Sequence, residues 1–418
     1  MEDIIMTEKN LIPLLRFPKF VRDAEWICTT LRAEMDYENG VAHENDIDSL
    51  GKYIVVNSKF ISTEGQIEKR SNNAHCLAEE NDILMVLSDL PNGKAIAKCF
   101  YVDASNKYTV NQRICKLRSK GANSKLLYYL LNRNPYFLSF DDGVKQTNLK
   151  KDEVLSCPLI IPKSIEEQQK IAECLSSIDS YISSINEKVE QLKAHKKSLM
   201  QKLFPQNGKT VPEYRFPEFE KDEGWTEKRL GDFIKVRNGY AFKSNTYITS
   251  GKFKIVTIRN VKKGRLEMGE YNTINNLPTD IQPHQILKRG NILVSMTGNV
   301  GRVCKVDCDN CLQNQRVGLI EKYTTTIDED FVFTILTDAC FEQAMIESGQ
   351  GAAQTNIGNK DIEDYSFLCP PSLSEQNQIA LCLSPIESLT SYYMDKVALL
   401  EQFMVGLTQQ LFPKQQAL

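Results

Sequence analysis

One stretch of this chain is written twice in a single register: residues 146–205 reappear at 354–413, displaced by 208 positions. Gln146-Thr147-Asn148 matches Gln354-Thr355-Asn356, Pro162 matches Pro370, and Glu167-Gln168 matches Glu375-Gln376. Ile171-Ala172 then matches Ile379-Ala380, and Leu203-Phe204-Pro205 matches Leu411-Phe412-Pro413. An ungapped register of this length marks a duplicated unit, which has to fold twice. A second offset, 199, relates Arg16-Phe17-Pro18-Lys19-Phe20 and Trp26 to Arg215-Phe216-Pro217-Glu218-Phe219 and Trp225. Asn111-Gln112-Arg113-Ile114 recurs as Asn314-Gln315-Arg316-Val317, following NDILMV (81–86) and GNILVS (290–295), segments that read as strands. The chain alternates between segments its two halves share and segments in which they differ.

The shared blocks carry a heptad stripe. Ile171, Leu175, Ile178, Ile182, Ile185, Val189, Leu192, Leu199 and Leu203 follow an alternating four-three step, interrupted only by Lys196. The second block answers with Ile379, Leu383, Ile386, Tyr393, Val397, Leu400, Met404, Leu407 and Leu411, with Thr390 as its polar exception. This spacing predicts a coiled-coil seam. Ser164 and Ser374 are candidate caps at the helix starts, and Leu-Phe-Pro closes each pattern, because proline cannot continue a helix. Each helix is expected to span roughly 40 residues and about 60 Å. Packing the two stripes together lets one chain imitate a dimer, with two globular domains presenting equivalent faces. An oligomerisation stalk is the competing use of such helices.

The domain reading is therefore 1–163 as a first globular domain, 164–205 as a central helix, 206–214 as linker, 215–371 as a second domain and 372–413 as a C-terminal helix. The fold class expected is α/β (α+β): two globular domains separated by two long antiparallel helices, with an internal pseudo-twofold repeat. At 418 residues, two cores are the default for a chain of this size. No apolar run approaches a membrane span. Residues 1–10, with three acids and one lysine, lack the pattern of a signal peptide, so a cytoplasmic location is expected. Twelve cysteines scattered through such a chain are expected to be reduced, mostly as small core residues.

Net charge is −3, but the charge is segregated. Residues 231–316 hold fourteen Lys/Arg against six Asp/Glu, and 51–150 hold fifteen against nine, whereas 1–50 hold eleven acids against five bases. Basic domains of this kind suit a polyanion. In the second domain, candidate contacts are Tyr240 and Lys243 in NGYAFKS (238–244), Arg259, Lys262 and Lys263 in TIRNVKKGRL (257–266), and Thr297, Asn299 and Arg302 in MTGNVGRV (296–303). Glycine lets backbone approach a phosphate, and Arg and Asn can read guanine and adenine edges bidentately. The same residues also suit ordinary hairpin turns. Asn314, Gln315 and Arg316, with Asn111, Gln112, Arg113 and Lys94 in the first domain, complete the candidate DNA-binding set. For the two Asn-Gln-Arg segments, a loop-holding polar network is an equal alternative.

Enzyme signals do not assemble. Cys304-x-x-x-Cys308-x-x-Cys311 has iron–sulfur spacing, but the first half has no matching cysteines and zinc would want a fourth ligand. Gly208-Lys209-Thr210 has Leu203 where a phosphate-binding loop needs glycine. Arg133-Asn134-Pro135-Tyr136-Phe137 lacks the second proline of an amino-methyltransferase motif. His43, His75, His195 and His284 are too dispersed for a catalytic cluster. No catalytic and no metal-binding residue is assigned.

The arrangement resembles the specificity (S) subunits of type I restriction-modification systems across nearly the whole chain. The resemblance rests on PLIIPKSIEEQQKIAECLSSID (158–179), FLCPPSLSEQNQIALCLSPIE (367–387), the Trp-containing openings, NGYAFKS (238–244) and ILVSMTGNVGRV (292–303). It implies two target-recognition domains, each reading one half of a bipartite site in double-stranded DNA, with helix length setting the gap. It also implies a subunit without chemistry of its own or bound cofactor. Two methyltransferase subunits would bring S-adenosylmethionine, and restriction subunits, where present, ATP and Mg. The first domain departs from the pattern, with SDLPNGKAIAKC (88–99) where the second has MTGNVGRVC, so the half-sites are expected to differ. The alternative reading is a two-domain coiled-coil scaffold for protein partners without sequence-specific DNA binding.

Overall fold

A computed structural model describes residues 11–91, 93–206, 208–349 and 356–413. The acidic start at 1–10 and Gln354-Thr355 of the repeated Gln-Thr-Asn lie outside the described residues. The chain forms two compact units, Met1–Ser183 with Leu399–Leu418, and Ser184–Ala398. Each is described by itself.

In the first unit an antiparallel sheet runs in the spatial order Met35–Asn39, Ile114–Ser119, Ile83–Val86, Cys99–Tyr101. Ile83–Val86 is buried at every position, which is why it reads as an unbroken apolar run rather than an alternating one. A second sheet orders Lys69–Ser71, Tyr53–Val56 and Tyr108–Val110, the last two parallel. Ile27–Thr30 pairs with Pro158–Ile161 and closes the domain just before the long helix.

The second unit repeats this plan. Its sheet runs Ile234–Asn238, Val317–Lys322, Ile292–Ser295, Val303–Lys305, again with a fully buried strand third in order. Phe253–Val256 lies parallel to Cys311–Gln313, and Thr226–Arg229 pairs with Ser366–Cys369. The two-domain α/β reading therefore holds.

Two helices of 39 residues, Ile165–Leu203 and Leu373–Leu411, each pass from one unit into the other. All eighteen apolar seam positions read from the heptads are buried or partly buried. In the first unit Ile171, Ala172 and Leu175 share a core with Leu411, and Met404 and Leu407 pack on it. In the second, Leu203 shares a core with Ile379, Ala380 and Leu383, and Leu199 packs on it.

The polar interruptions have partners. Lys196 forms an ion pair with Glu387, each side chain 19% exposed. The Thr337 hydroxyl donates to the same carboxylate at 3.2 Å. A partly buried pair of this kind favours one helix register over a slipped one. Thr390 satisfies its hydroxyl on the Ile386 carbonyl at 2.7 Å.

Two expectations need correction. Ser164 caps the first helix, its Oγ accepting from Glu167 N at 3.3 Å, but Ser374 lies inside the first turn of the second helix. Ser372 stands 208 positions after Ser164 and occupies the start instead, its carbonyl accepting from Gln376 N at 3.1 Å. The cysteines are not all reduced. Cys308 and Cys311 are joined by a disulfide, because the turn leading into Cys311–Gln313 brings them together, while Cys304 is a buried core residue. Among the described residues, no group of three or more His, Cys, Asp or Glu is placed to hold a metal.

What ties each domain to its helix is the meeting of two repeated motifs. The Arg16 guanidinium grips Glu167 with two donors at 2.7 and 2.8 Å, and Trp26 Nε1 donates to the same carboxylate at 3.3 Å. Arg16 also donates to the carbonyls of Asp23 and Ala24, both at 3.1 Å, fixing the loop that delivers Trp26. The second unit has the same clasp: Arg215 to Glu375 at 2.8 and 2.9 Å, Trp225 Nε1 to Glu375 at 3.2 Å, and Arg215 to the carbonyls of Asp222 and Glu223. Both glutamates are 1% exposed, so the bidentate geometry is what offsets their desolvation.

The neighbouring glutamines repeat the pattern one residue on. Gln168 donates to Pro162 O at 2.7 Å and accepts from Asn123 N at 2.7 Å. Gln376 donates to Pro370 O at 3.0 Å and accepts from Asp328 N at 2.8 Å. Asn123 and Asp328 in turn cap the short helices Ser124–Leu131 and Glu329–Leu336. The Glu-Gln dipeptide thus locks strand end, long helix and short helix together in each unit.

Candidate nucleic-acid interface

The Asn-Gln-Arg segments sit on matching backbone frames. In the first unit Asn111 N donates to Val56 O at 3.0 Å, Ile114 N to Asn111 O at 3.0 Å, Leu87 N to Arg113 O at 3.0 Å and Val41 N to Val110 O at 3.0 Å. In the second, Asn314 N donates to Val256 O at 3.1 Å, Val317 N to Asn314 O at 2.9 Å, Met296 N to Arg316 O at 3.1 Å and Tyr240 N to Gln313 O at 2.8 Å. Gln112, Arg113, Gln315 and Arg316 are exposed, while Asn111 and Asn314 are half-buried.

Beside each frame a glycine lies against backbone. A Cβ on Gly40 would fall 2.1 Å from Asn111 O, and one on Gly239 would fall 2.2 Å from Asn314 O. No side chain fits at either position. These glycines belong to a repeat that the sequence reading missed, Asn39-Gly40-x-Ala42 against Asn238-Gly239-x-Ala241, which has the same 199-residue offset as the Arg-Phe-Pro motif. The offset alone would have found it.

Around Arg316 the second unit gathers several of the expected residues. Tyr240 bridges Asn314, and Thr297 bridges Asn356. Arg316 Nη1 donates to Thr297 Oγ1 at 3.3 Å. Tyr240 OH donates to Asp280 at 2.8 Å, which raises its pKa above the ordinary phenol value. Gly298 and Gly301, both with positive φ, turn the chain so that Asn299 is exposed between them, and Gly298 lies near Ile258, next to the exposed Arg259. Lys243 is exposed, and its carbonyl accepts from the Thr246 hydroxyl at 2.7 Å.

Other expected residues take protein partners. Lys263 pairs with Glu342 at 2.9 Å, and Arg302 reaches the same carboxylate at 3.8 Å. Lys262 lies in the small hairpin Val261–Lys262 with Arg265–Leu266, and Arg265 pairs with Asp395 at 2.9 Å.

The first unit furnishes its frame differently. Ser88 and Asn148 pair where the second unit has Thr297 and Asn356. The Ser88 hydroxyl accepts from Gln146 Nε2 at 2.7 Å. Asp89 accepts from the backbone N–H of Leu90, Ala95 and Ile96, closing the loop that exposes Lys94. Gln112 Nε2 donates to Glu44 at 3.1 Å, so an acid borders this frame. His43, buried beside it, bonds Val41 O at 2.6 Å and Thr109 Oγ1 at 2.9 Å. Burial pushes its pKa below the ordinary imidazole value.

Comparison with known proteins matches this duplicated plan. The family model for the type I restriction modification DNA specificity domain matches residues 36–194 and again 222–398. The chain is 27% identical over 332 residues to the type I restriction enzyme MjaVIII specificity subunit of Methanocaldococcus jannaschii, covering 76% of this chain and 75% of that one. It is 28% identical over 268 residues to a putative MjaX specificity subunit of the same organism, covering 63% of this chain and 60% of that one. The fold is similar to the crystal structure of a type I restriction-modification system S subunit from M. genitalium, with TM-score 0.67 at 16% identity over 97% of this chain and 100% of that one.

Proposed function

This chain belongs to the type I restriction modification DNA specificity family, and on that premise we propose that it is the sequence-reading subunit of a type I restriction-modification complex. The observation that carries the proposal is the family match in both halves, each containing one exposed Asn-Gln-Arg frame. Each domain reads one half of a bipartite, asymmetric site in double-stranded DNA. Basic side chains hold phosphates and so set affinity, and loop side chains at the frame meet base edges in the groove and set sequence. The long helices act as the spacer between half-sites. The protein-scaffold reading, which needs no DNA-binding family, loses its support.

The chain's own residues bind and orient DNA; they do no bond chemistry. Adenine methylation falls to two methyltransferase subunits that hold S-adenosylmethionine, and cleavage, where the system has it, to restriction subunits using ATP and Mg. The long helices offer docking surface for the methyltransferases. On the outer face of the second helix, Leu381 is 61% exposed in the second unit and Leu399 65% in the first, and exposed apolar side chains of this size suit a protein partner. Among the described residues no helix is long and apolar enough to cross a membrane, and the proposed site of action is the cytoplasm, with the DNA.

The test is to co-express the chain with type I methyltransferase subunits and map methylated adenines across the genome. A split, asymmetric motif that vanishes when this gene is deleted is the expected result. An unchanged methylome, with the partner complex intact, would sink the proposal.

A further inference from the structure

Taking the DNA-reading role as given, we infer that Arg113 and Arg316 hold phosphate without reading sequence, and that half-site identity is set by the side chains that differ around the two matching frames. The argument starts from the backbone. Four equivalent N–H to O=C bonds hold each Asn-Gln-Arg segment, and each Gly of the Asn-Gly pair abuts the following Asn carbonyl at nearly the same distance. The two arginines therefore leave closely similar frames and are both exposed, the differences being that Gly40 N donates to Ile114 O in the first unit and Gln315 N to Tyr240 O in the second. The same residue on two such similar frames gives a shared preference. The two arginines cannot make one domain read differently from the other.

What differs on the frame is large. The residue bonded to the strand end is Val41 in one unit and Tyr240 in the other. The residues after the strand-end bridge are Asp89 and Leu90 in the first, and Gly298 and Asn299 in the second. The first set offers a methyl surface and a carboxylate already committed to three backbone N–H groups. The second offers a phenol, a backbone free of side chain, and an exposed amide able to pair with adenine. The chemical contrast needed to tell two half-sites apart lies here, outside the shared triad.

Arg and Lys separate the two roles. A phosphate contact tolerates Lys as a point charge, whereas bidentate guanine recognition depends on the planar fork. The experiment uses the complete complex with its methyltransferase subunits and duplexes carrying the methylated motif or a version scrambled in one half. For Arg316→Ala we expect affinity to fall by about three- to tenfold on both duplexes and the log–log salt slope to flatten by about 1. Arg316→Lys should restore both, showing in addition that the domain folds, and Arg113 variants should behave alike. In every arginine variant the methylated motif stays the same. Tyr240→Val and Asn299→Ala should relax or change bases in one half of the motif and leave the other half intact.

Three results would overturn the inference. One is a motif that changes in Arg316→Lys with the salt slope preserved. Another is a base common to both half-sites that loses discrimination when either arginine is replaced. The third is a motif unmoved by Tyr240→Val and Asn299→Ala together. If the unmodified complex shows no sequence preference on any duplex, the DNA-reading role fails first, and that outcome is distinguishable because it precedes every variant.

Discussion

The two clasps and the two reading frames teach opposite lessons about a duplicated chain. At the clasps, everything that matters is repeated: Arg16 and Arg215, Trp26 and Trp225, Glu167 and Glu375 make the same bonds in each unit. At the frames, only the backbone and the Asn-Gln-Arg triad are repeated, while the side chains next to them diverge in size, charge and partner. Repetition marks what holds each domain to its helix and what frames its loop. On the proposed reading, divergence marks how each domain tells its own half-site.

The strongest way to break this contrast is to cut a clasp. Glu375→Ala leaves the Arg215 guanidinium buried without its carboxylate and strips the Trp225 indole of its acceptor. Removing one member of a buried ion pair costs about 3–5 kcal/mol. Urea unfolding of the chain should show a loss of that size, and Glu167→Ala should match it in the first unit. Surviving complexes of either variant should methylate the unchanged motif. A clasp variant that kept full stability but altered the motif would move Glu375 from scaffold to reading surface.

Next in size is the helix packing. Leu383 is 0% exposed and sits in the core that includes Leu203 and Ile379. Leu383→Ala should cost about 2–5 kcal/mol through lost contact and a residual cavity. Glu387→Gln removes the charge opposite Lys196 but keeps an acceptor for Thr337. Because that pair is partly solvated, a loss of about 1 kcal/mol is expected by the same unfolding measurement. An Lys196→Met, Glu387→Met double variant that proved as stable as the native chain would show that the pair sets register rather than strength.

The long helices were legible because a 4-3 apolar step admits few other folds, and Ile171, Leu175, Ile379 and Leu383 are buried where the spacing puts them. The duplicated sheets were legible in part. NDILMV and GNILVS contain the buried strands Ile83–Val86 and Ile292–Ser295, since a strand covered on both faces is written as a run of apolar residues. The clasps were visible only as separate repeats. Nothing in a linear sequence says that Arg16 and Glu167, 151 positions apart, meet, because that bond depends on how the chain closes. The candidate site was least legible. Lys263 and Arg302 read as DNA contacts from their charge, yet each has Glu342 within reach, and a partner that arrives on a helix from further along the chain leaves no local trace.

The smallest effect expected comes from one residue that separates the two frames, His43 against Phe242, which stands 199 positions later. Burial holds the His43 pKa below the ordinary imidazole value, although its bond to Val41 O at 2.6 Å works the other way. Around it, the ring of His75 disfavours its protonation, while Asp46 and Glu44 favour it less strongly than burial opposes it. A folded-state pKa below the unfolded value means that the unfolded chain takes up the proton first as pH falls. Stability is therefore full above the ordinary imidazole range near about 6.5 and declines as pH drops below it. The decline is read as unfolding of the first unit at successive pH values. Unfolding of the second unit, with Phe242 at that position, should lack this step. His43→Phe should remove it from the first unit too, while the same pH step surviving in that variant would show that His43 is not its source.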